Sequence, residues 1–220
     1  LIGLFKSVLK YNYLGNWEKR EGNSNVEEEY LSAYLARRGY TDKEIRSAIA
    51  KLKQAAGSLG GGLYNANKEV YTLLRYGVNV QAEVTEKKKM VHLIDWANPM
   101  ENDFQIAEEV TIHGTSDRRP DLVVYVNGIA LAVIELKRST VSAHEGIRQN
   151  IRNQQDGYIP RFFTTIQLLF AGNDTEGLHY GVIKTPEKFW LRWKEPCGEP
   201  CAKPHFTAEE YPNELDRSVL

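Results

Sequence analysis

The order of hydrophobic and polar positions along the chain predicts helices first and a sheet afterwards. Helical periodicity covers about 24–38, 41–56 and 67–76, and the first two segments open with the capping-box patterns Ser24-Asn-Val-Glu27 and Thr41-Asp-Lys-Glu44. Alternation of apolar and polar residues then predicts strands within 78–84, 90–94 and 104–112. A helix that begins near Ser142 and an apolar strand at 166–171 follow. This order predicts an α/β (α+β) fold, with a mixed central β-sheet flanked by helices.

Two apolar runs in the middle of the chain predict a β-hairpin. They span 122–126 and 129–134, and the pair Asn127-Gly128 between them is typical of a tight turn. Arg119-Pro120-Asp121 precedes the outgoing strand, and Glu135-Leu136-Lys137 ends the returning one. Burying charged groups at one end of a hairpin costs free energy unless they bind a ligand. A divalent metal ion, together with the phosphate that it activates, would be such a ligand.

The register of this hairpin decides whether the two carboxylates meet. A two-residue turn places Asp121 opposite Ile134, so that Asp121 and Glu135 project from different faces. A three-residue connection, with Gly128 in the left-handed region forming a bulge, instead pairs Asp121 with Glu135. We therefore expect a bulge or an irregular turn in the hairpin.

Paired carboxylates and a nearby lysine suit the hydrolysis of a phosphodiester. Asp121 and Glu135 would repel each other without a cation, and a hard ion such as Mg²⁺ removes that conflict. Lys137, two residues beyond Glu135 on the same face, would orient the attacking water or stabilise the developing negative charge. The alternative is an ordinary surface hairpin whose end forms a salt bridge.

Composition excludes few classes of function. The chain has 220 residues, a formal net charge of −1 and two cysteines. Near-neutral charge predicts weak DNA binding by the chain alone, and few cysteines suit a reducing, cytoplasmic environment. No apolar run is long enough to cross a membrane. The start at Leu1 without Met suggests a piece of a longer protein.

The segments that contain these residues resemble a known family. Pro120-Asp121 and Glu135-Leu-Lys137 look like the core of the PD-(D/E)XK nucleases. The wider text, from about Tyr11 to Lys194, resembles the amino-terminal region of the restriction (R) subunit of type I restriction–modification enzymes. This wider resemblance rests on Tyr11-Asn-Tyr-Leu-Gly15, Gly22-Asn-Ser-Asn-Val-Glu27, Arg119-Pro-Asp-Leu-Val-Val-Tyr-Val-Asn-Gly128 and Val133-Ile-Glu-Leu-Lys137.

The resemblance implies a Mg²⁺-dependent endonuclease domain, with Mn²⁺ as a possible substitute. It implies double-stranded DNA as substrate, and methyltransferase and specificity subunits as partners. In the intact subunit an ATP-driven, DNA-translocating motor would follow, and the chain itself contains no Gly-x-x-x-x-Gly-Lys-Ser/Thr nucleotide-binding loop. The corresponding division is an extension at 1–20, a nuclease domain at 21–195 and a segment leading to the motor at 196–220.

The same resemblance assigns roles to individual residues. Asp121 and Glu135 become metal ligands, the Leu136 carbonyl a further ligand and Lys137 the catalytic lysine. A glutamate on an early helix often approaches the metal in these nucleases. Glu28 fits that role best here, and Glu27, Glu29 and Glu69 compete with it.

The family also has a Gln-x-x-x-Tyr motif on the helix after the lysine, and two registers are open here. Gln149 matches the local context, with Asn153 standing where the tyrosine belongs, whereas Gln154 and Tyr158 match the pattern literally near a helix end. We prefer Gln149.

Three arginines that follow the strands, Arg148, Arg152 and Arg161, are candidate contacts for DNA phosphates, and a solvated helix face is the alternative.

Cys197, Cys201 and His205 have an unusual spacing for zinc and no fourth ligand nearby. The main alternative function is a non-cleaving module with a nuclease-like fold that binds nucleic acid or docks other subunits.

Overall fold

Within the described residues, seven strands form one mixed β-sheet that carries the fold. The computed structural model describes residues 1–81 and 88–194. The sheet has the strand order β1-β4-β5-β6-β7-β8-β9, and β2 and β3 pair separately as a two-stranded ribbon. The strands are β1 (Asn12–Asn16), β2 (Val78–Val80), β3 (Lys89–Val91), β4 (Phe104–Glu108), β5 (Leu122–Val126), β6 (Ile129–Leu136), β7 (Leu168–Asn173), β8 (Gly177–Gly181) and β9 (Leu191–Arg192).

Five α-helices accompany the strands in the described part of the chain, and the expected α/β architecture is confirmed. They are α1 (Ile2–Ser7), α2 (Glu28–Arg37), α3 (Asp42–Gly57), α4 (Leu63–Tyr76) and α5 (Ala143–Asn153). The capping box at Thr41 and Glu44 forms as the sequence predicts. Glu27 is the N-cap of α2 but makes no side-chain capping bond there, so the Ser24 pattern does not act as a capping box.

The pairing of the strands explains the helix that follows the hairpin. β4, β5 and β6 are antiparallel neighbours, whereas β6 and β7 run parallel. Parallel strands need a crossover connection, and α5 supplies it. Because α5 begins soon after β6 ends, its side chains lie close to the charged end of that strand.

Each side of the sheet has its own apolar core. Val123, Tyr125 and Val133 face the α5 side and pack in one cluster with Ile147 and Phe163. On the other face, Ile106, Leu122 and Ile134 pack with residues of α1 and β1. A third cluster joins α2, α3 and α4 to β2 and β3. The strand side chains therefore alternate between two buried environments, which fixes the register of the hairpin.

Two regions differ from the sequence expectations. β1 lies within residues 1–20, which the sequence assigned to an extension, and it pairs in parallel with β4 as an edge strand of the main sheet. Of the expected strand at 78–84, Val78–Val80 form β2 and 82–84 lie outside the described residues, whereas the strand expected at 90–94 ends at Val91 in β3. No helix within the described ranges is long and apolar enough to span a membrane.

Candidate active site at the end of the central hairpin

The hairpin turn is regular, and the irregularity lies inside β6. Asn127 and Gly128 both have positive φ, 53° and 79°, as a two-residue type I′ turn requires. Tyr125 pairs with Ala130, but Val124 pairs with Ala132. Leu131 is therefore an extra residue in β6, a β-bulge. The expected bulge is confirmed, but its expected position at Gly128 is wrong.

This bulge brings the two carboxylates to the same face. Beyond Leu131 the register pairs Leu122 with Ile134, so the next residue on each strand places Asp121 opposite Glu135. Asp121 Oδ2 accepts a hydrogen bond from the backbone N–H of Leu136 at 2.6 Å. Both carboxylates follow the alternation of Val123 and Val133, and they project toward α5.

Glu135 is a fully buried acid at the centre of the site. Its side chain has 0% exposure. Burial first, and then the negative charge of Asp121, hold the pKa of Glu135 well above its usual range. One carboxylate oxygen, Oε1, has no hydrogen-bond partner among the described residues. Such an oxygen normally loses several kcal/mol of solvation, so it suits a bound cation or an ordered water.

Gln149 connects the glutamate to the lysine. Its Nε2 donates to Glu135 Oε2 at 2.7 Å, and its Oε1 accepts from Lys137 Nζ at 2.7 Å. Lys137 Nζ also lies 3.9 Å from Glu135 Oε2. The amide therefore holds both charged groups in a fixed relation, and the structure brings together Asp121, Glu135, Lys137 and Gln149.

The approach of α5 to β6 depends on a glycine. A Cβ atom at Gly146 would lie 3.1 Å from Ala171 Cβ and 3.5 Å from Glu135 Cβ. With only hydrogen there, the helix comes close enough to the strand for Gln149 to reach Glu135. This small residue is a signal that sequence reasoning passed over.

The literal Gln-x-x-x-Tyr register does not reach the site. Gln154 follows the last residue of α5, and its amide bonds to the backbone of Asn150 and Lys184. Tyr158 lies beyond the helix, and the guanidinium of Arg118 stacks on its ring at 4.1 Å. Gln149 is the glutamine that contacts the carboxylates. Asn153, at the position of the tyrosine, is fully buried.

The early-helix glutamate is not brought to the carboxylate pair. Glu28 forms an ion pair with Lys53. Its neighbour Glu27 donates its backbone N–H to the carbonyl of Gly128, at the turn end of the hairpin. The strand from Gly128 to Glu135 spans about 20 Å. In this conformation Glu28 therefore lies at the opposite end of the hairpin from the candidate metal ligands.

The three candidate DNA contacts occupy different settings. Arg148 is exposed on α5 but already bound by two carboxylates, Glu187 at 3.0 Å and Glu145 at 2.7 Å. Arg152 is exposed one turn further along the same helix. Arg161 is exposed beside a groove of about 530 Å³ that His113, Thr115 and Tyr158 also line. The zinc candidates Cys197, Cys201 and His205 lie outside the described residues.

Sequence reasoning missed two further charged groups beside the pair. Glu109 follows β4, and its backbone N–H donates to the Asp121 carbonyl at 2.8 Å. Arg119 binds Glu109, with Nε 2.7 Å from Oε2, and also contacts Glu18. Glu109 is adjacent to Asp121 only because β4 pairs with β5, so its spacing in the sequence gives no hint of the contact.

Comparison with known proteins shows to which family the chain belongs. The profile of the family described as "Type I restriction enzyme R protein N terminus" matches residues 1–188. The chain belongs to this family. The matched region includes both strands of the hairpin and all of α5.

Several curated relatives have corresponding names. A "putative type I restriction enzyme MjaIXP endonuclease subunit" of Methanocaldococcus jannaschii is 31% identical over 134 residues, covering 57% of this chain and 12% of that protein. A "type I restriction enzyme SsaAORF53P endonuclease subunit" of Staphylococcus saprophyticus is 26% identical, over 60% of this chain and 13% of its own length. The matched part of this chain thus corresponds to roughly an eighth of these relatives.

Proposed function

We propose that this chain is the Mg²⁺-dependent endonuclease domain of a type I restriction R subunit and hydrolyses phosphodiester bonds of double-stranded DNA. The observation that carries the proposal is the buried Glu135, whose Oε1 has no partner among the described residues and which lies opposite Asp121. Buried carboxylate oxygens are usually paired with a donor, so an unpaired one next to a second carboxylate fits a bound cation. Two carboxylates on one face, next to a lysine, fit a site that binds a cation together with phosphate.

The donor set fits a hard divalent ion. Asp121 and Glu135 offer carboxylate oxygens, and the Leu136 carbonyl is a candidate third ligand. Oxygen ligands of this kind suit Mg²⁺, which keeps several of its own waters. When bound, the ion would polarise a phosphoryl oxygen and lower the pKa of a coordinated water. It would also offset the burial and the repulsion from Asp121 that make Glu135 hard to ionise.

Lys137 and Gln149 would complete the chemistry with groups of the chain itself. The Lys137 ammonium, held by Gln149 Oε1, is a fixed positive charge close to the carboxylate pair. It would orient the attacking water or stabilise the charge that develops on the phosphate. Gln149 has a positioning role, because it holds the lysine and the glutamate together rather than reacting itself.

The matched region covers only about an eighth of the relatives, so we expect the complete subunit to contain further domains. In the complete subunit the domain would act after ATP-driven translocation by a motor, in a cytoplasmic complex with methyltransferase and specificity subunits. ATP would bind only in that motor. Arg148, Arg152 and Arg161 would contact the DNA backbone.

The decisive experiment compares the wild-type and Asp121→Ala subunits in the assembled enzyme. We expect the variant complex to translocate on DNA at the wild-type rate and to lose cleavage. Translocation serves as the internal control for folding and assembly. Continued cleavage by the variant would refute the assignment. If the wild-type complex translocates but never cuts, the non-cleaving docking or binding module is the better description.

A further inference from the structure

Three adjacent strands each contribute one carboxylate at the same level of the sheet. Asp121 immediately precedes β5 and lies opposite Glu135 on β6. On its other side, Glu109 continues β4, where Glu108 pairs with Leu122 and the Glu109 N–H donates to Asp121 O. These backbone contacts place Glu109, Asp121 and Glu135 in a row across the ends of three strands, with Asp121 in the middle.

The charges along this row are unevenly matched. Two cations stand at the ends of the row, Lys137 near Glu135 and Arg119 on Glu109. Asp121 forms no ion pair with any residue in the described ranges. The unmatched negative charge is thus concentrated in the middle, next to the partnerless Oε1 of Glu135.

The backbone at Glu109 is unusual for a glutamate. Its φ is 51°, in the left-handed region that non-glycine residues other than Asn and Asp rarely adopt. A conformation of this kind is strained and persists where the surroundings hold it. The hydrogen bond to Asp121 and the ion pair with Arg119 provide that support here.

From this arrangement we propose that Glu109 is an additional acidic residue of the metal site, which Arg119 neutralises when no cation is present. The inference rests on the proposed nuclease function. Arg119 and the cation would compete for Glu109, and the Glu109 carboxylate would bind the cation directly or through one of its waters. Released from Glu109, Arg119 would keep its contact with Glu18 or turn to a phosphate.

The ion pair explains why the row does not already form a three-ligand site. Within the described residues, no group of three or more His, Cys, Asp or Glu side chains is arranged to hold a metal ion. Glu109 Oε2 is directed at Arg119 Nε, 2.7 Å away, so the carboxylate has to rotate toward Asp121 before it can take part. A rotation about side-chain torsions is sufficient, because the two backbones are already hydrogen-bonded.

The test measures Mn²⁺ binding to the 220-residue chain by electron paramagnetic resonance of the free ion, without DNA or turnover. Glu109→Gln is expected to weaken Mn²⁺ affinity about tenfold, the scale on which supporting groups of metal sites act. Arg119→Gln is expected to tighten it several-fold. Glu18→Gln is the matched control, since it also removes a partner of Arg119 but leaves the row intact, and its affinity should stay within about twofold of wild type.

Two further variants separate the possible failures. Glu109→Asn removes the charge and suits the left-handed backbone, so it keeps the test valid if the glutamine variant does not fold. Asp121→Asn should abolish Mn²⁺ binding. Loss in Asp121→Asn with no change in either Glu109 variant would overturn this inference and leave the proposed function intact. Absence of Mn²⁺ binding in the wild type would overturn the inference together with the metal-dependent function.

Discussion

Gln149 and Glu135 are joined by a 2.7 Å hydrogen bond from the amide Nε2 to the carboxylate Oε2. This contact crosses from α5 to β6, and the same amide accepts a hydrogen bond from Lys137. The candidate site is therefore supported from the helix as well as from the hairpin. Its stability and its chemistry should respond to the same substitutions.

Replacing Gln149 by leucine should destabilise the chain. The substitution removes the amide that donates to Oε2 of the buried Glu135 and accepts from Lys137 Nζ. We expect a loss of about 1–3 kcal/mol in the free energy of unfolding, the cost of an unsatisfied buried group. Urea denaturation monitored by circular dichroism would measure it. Gln155→Leu, at an exposed position just after α5, is the control and should change stability by less than about 0.5 kcal/mol. Equal effects of the two variants would contradict the assigned role of Gln149.

Replacing Gly146 by alanine should separate α5 from β6. Alanine favours a helix over glycine by about 1 kcal/mol, but overpacking a tight interface costs about 1–3 kcal/mol. The new Cβ would lie 3.1 Å from Ala171 Cβ, so we expect the packing cost to prevail, with weaker Mn²⁺ binding as a second effect. Gly3→Ala in α1, with nothing within 4 Å of the added atom, should leave stability unchanged or raise it. Thermal unfolding and Mn²⁺ titration of both variants provide the comparison. A Gly146→Ala chain as stable as the wild type would show that the helix can shift freely.

The metal-free chain should lose stability as the pH rises. Burial and Asp121 hold the pKa of Glu135 above its value in the unfolded chain, so the folded state retains a proton that the unfolded state has released. The stability is fully present below the unfolded pKa and declines as the pH rises through the folded pKa, by up to about 1.4 kcal/mol per pH unit from this group. Unfolding in the presence of EDTA, measured from pH 5 to pH 8, should show a shallower decline in Glu135→Gln. A slope identical to wild type would mean that Glu135 is already ionised in the fold.

The candidate DNA contacts should contribute unequally to DNA affinity. Arg148 is bound to Glu145 and Glu187, so using it for DNA requires breaking those pairs, whereas Arg152 on the same helix is exposed. We expect Arg152→Ala to weaken DNA binding more than Arg148→Ala, and to lower the slope of log affinity against log salt by about one. Fluorescence anisotropy with a labelled duplex at low ionic strength would measure both. Glu187→Gln should strengthen DNA binding, because it removes one of the two carboxylates that hold Arg148. An unchanged affinity in all three variants would exclude this face of α5 from the DNA interface.

Local sequence signals determined much of the fold. The Thr41 capping box, the glycine that follows α4 and the Asn127-Gly128 turn each depend on residues close in sequence, so they could be predicted without a structure. The hairpin placed Asp121 and Glu135 at one end of two strands for the same reason. The need for a bulge could be predicted, because Asp121 and Glu135 meet only in an irregular hairpin. The position of the bulge could not be predicted, because nothing in the sequence distinguishes Leu131 from its neighbours.

The pair Asp121 and Glu135, the adjacent Lys137 and the need for an irregular hairpin could thus be predicted from the sequence. The choice between Gln149 and Gln154 required the folded chain, since it depends on where α5 ends and how closely Gly146 lets it approach β6. The tertiary structure also placed Glu28 at the far end of the hairpin and Glu109 beside Asp121. Contacts between strands and helices depend on register and packing distance, and these arise only when distant segments of the chain come together.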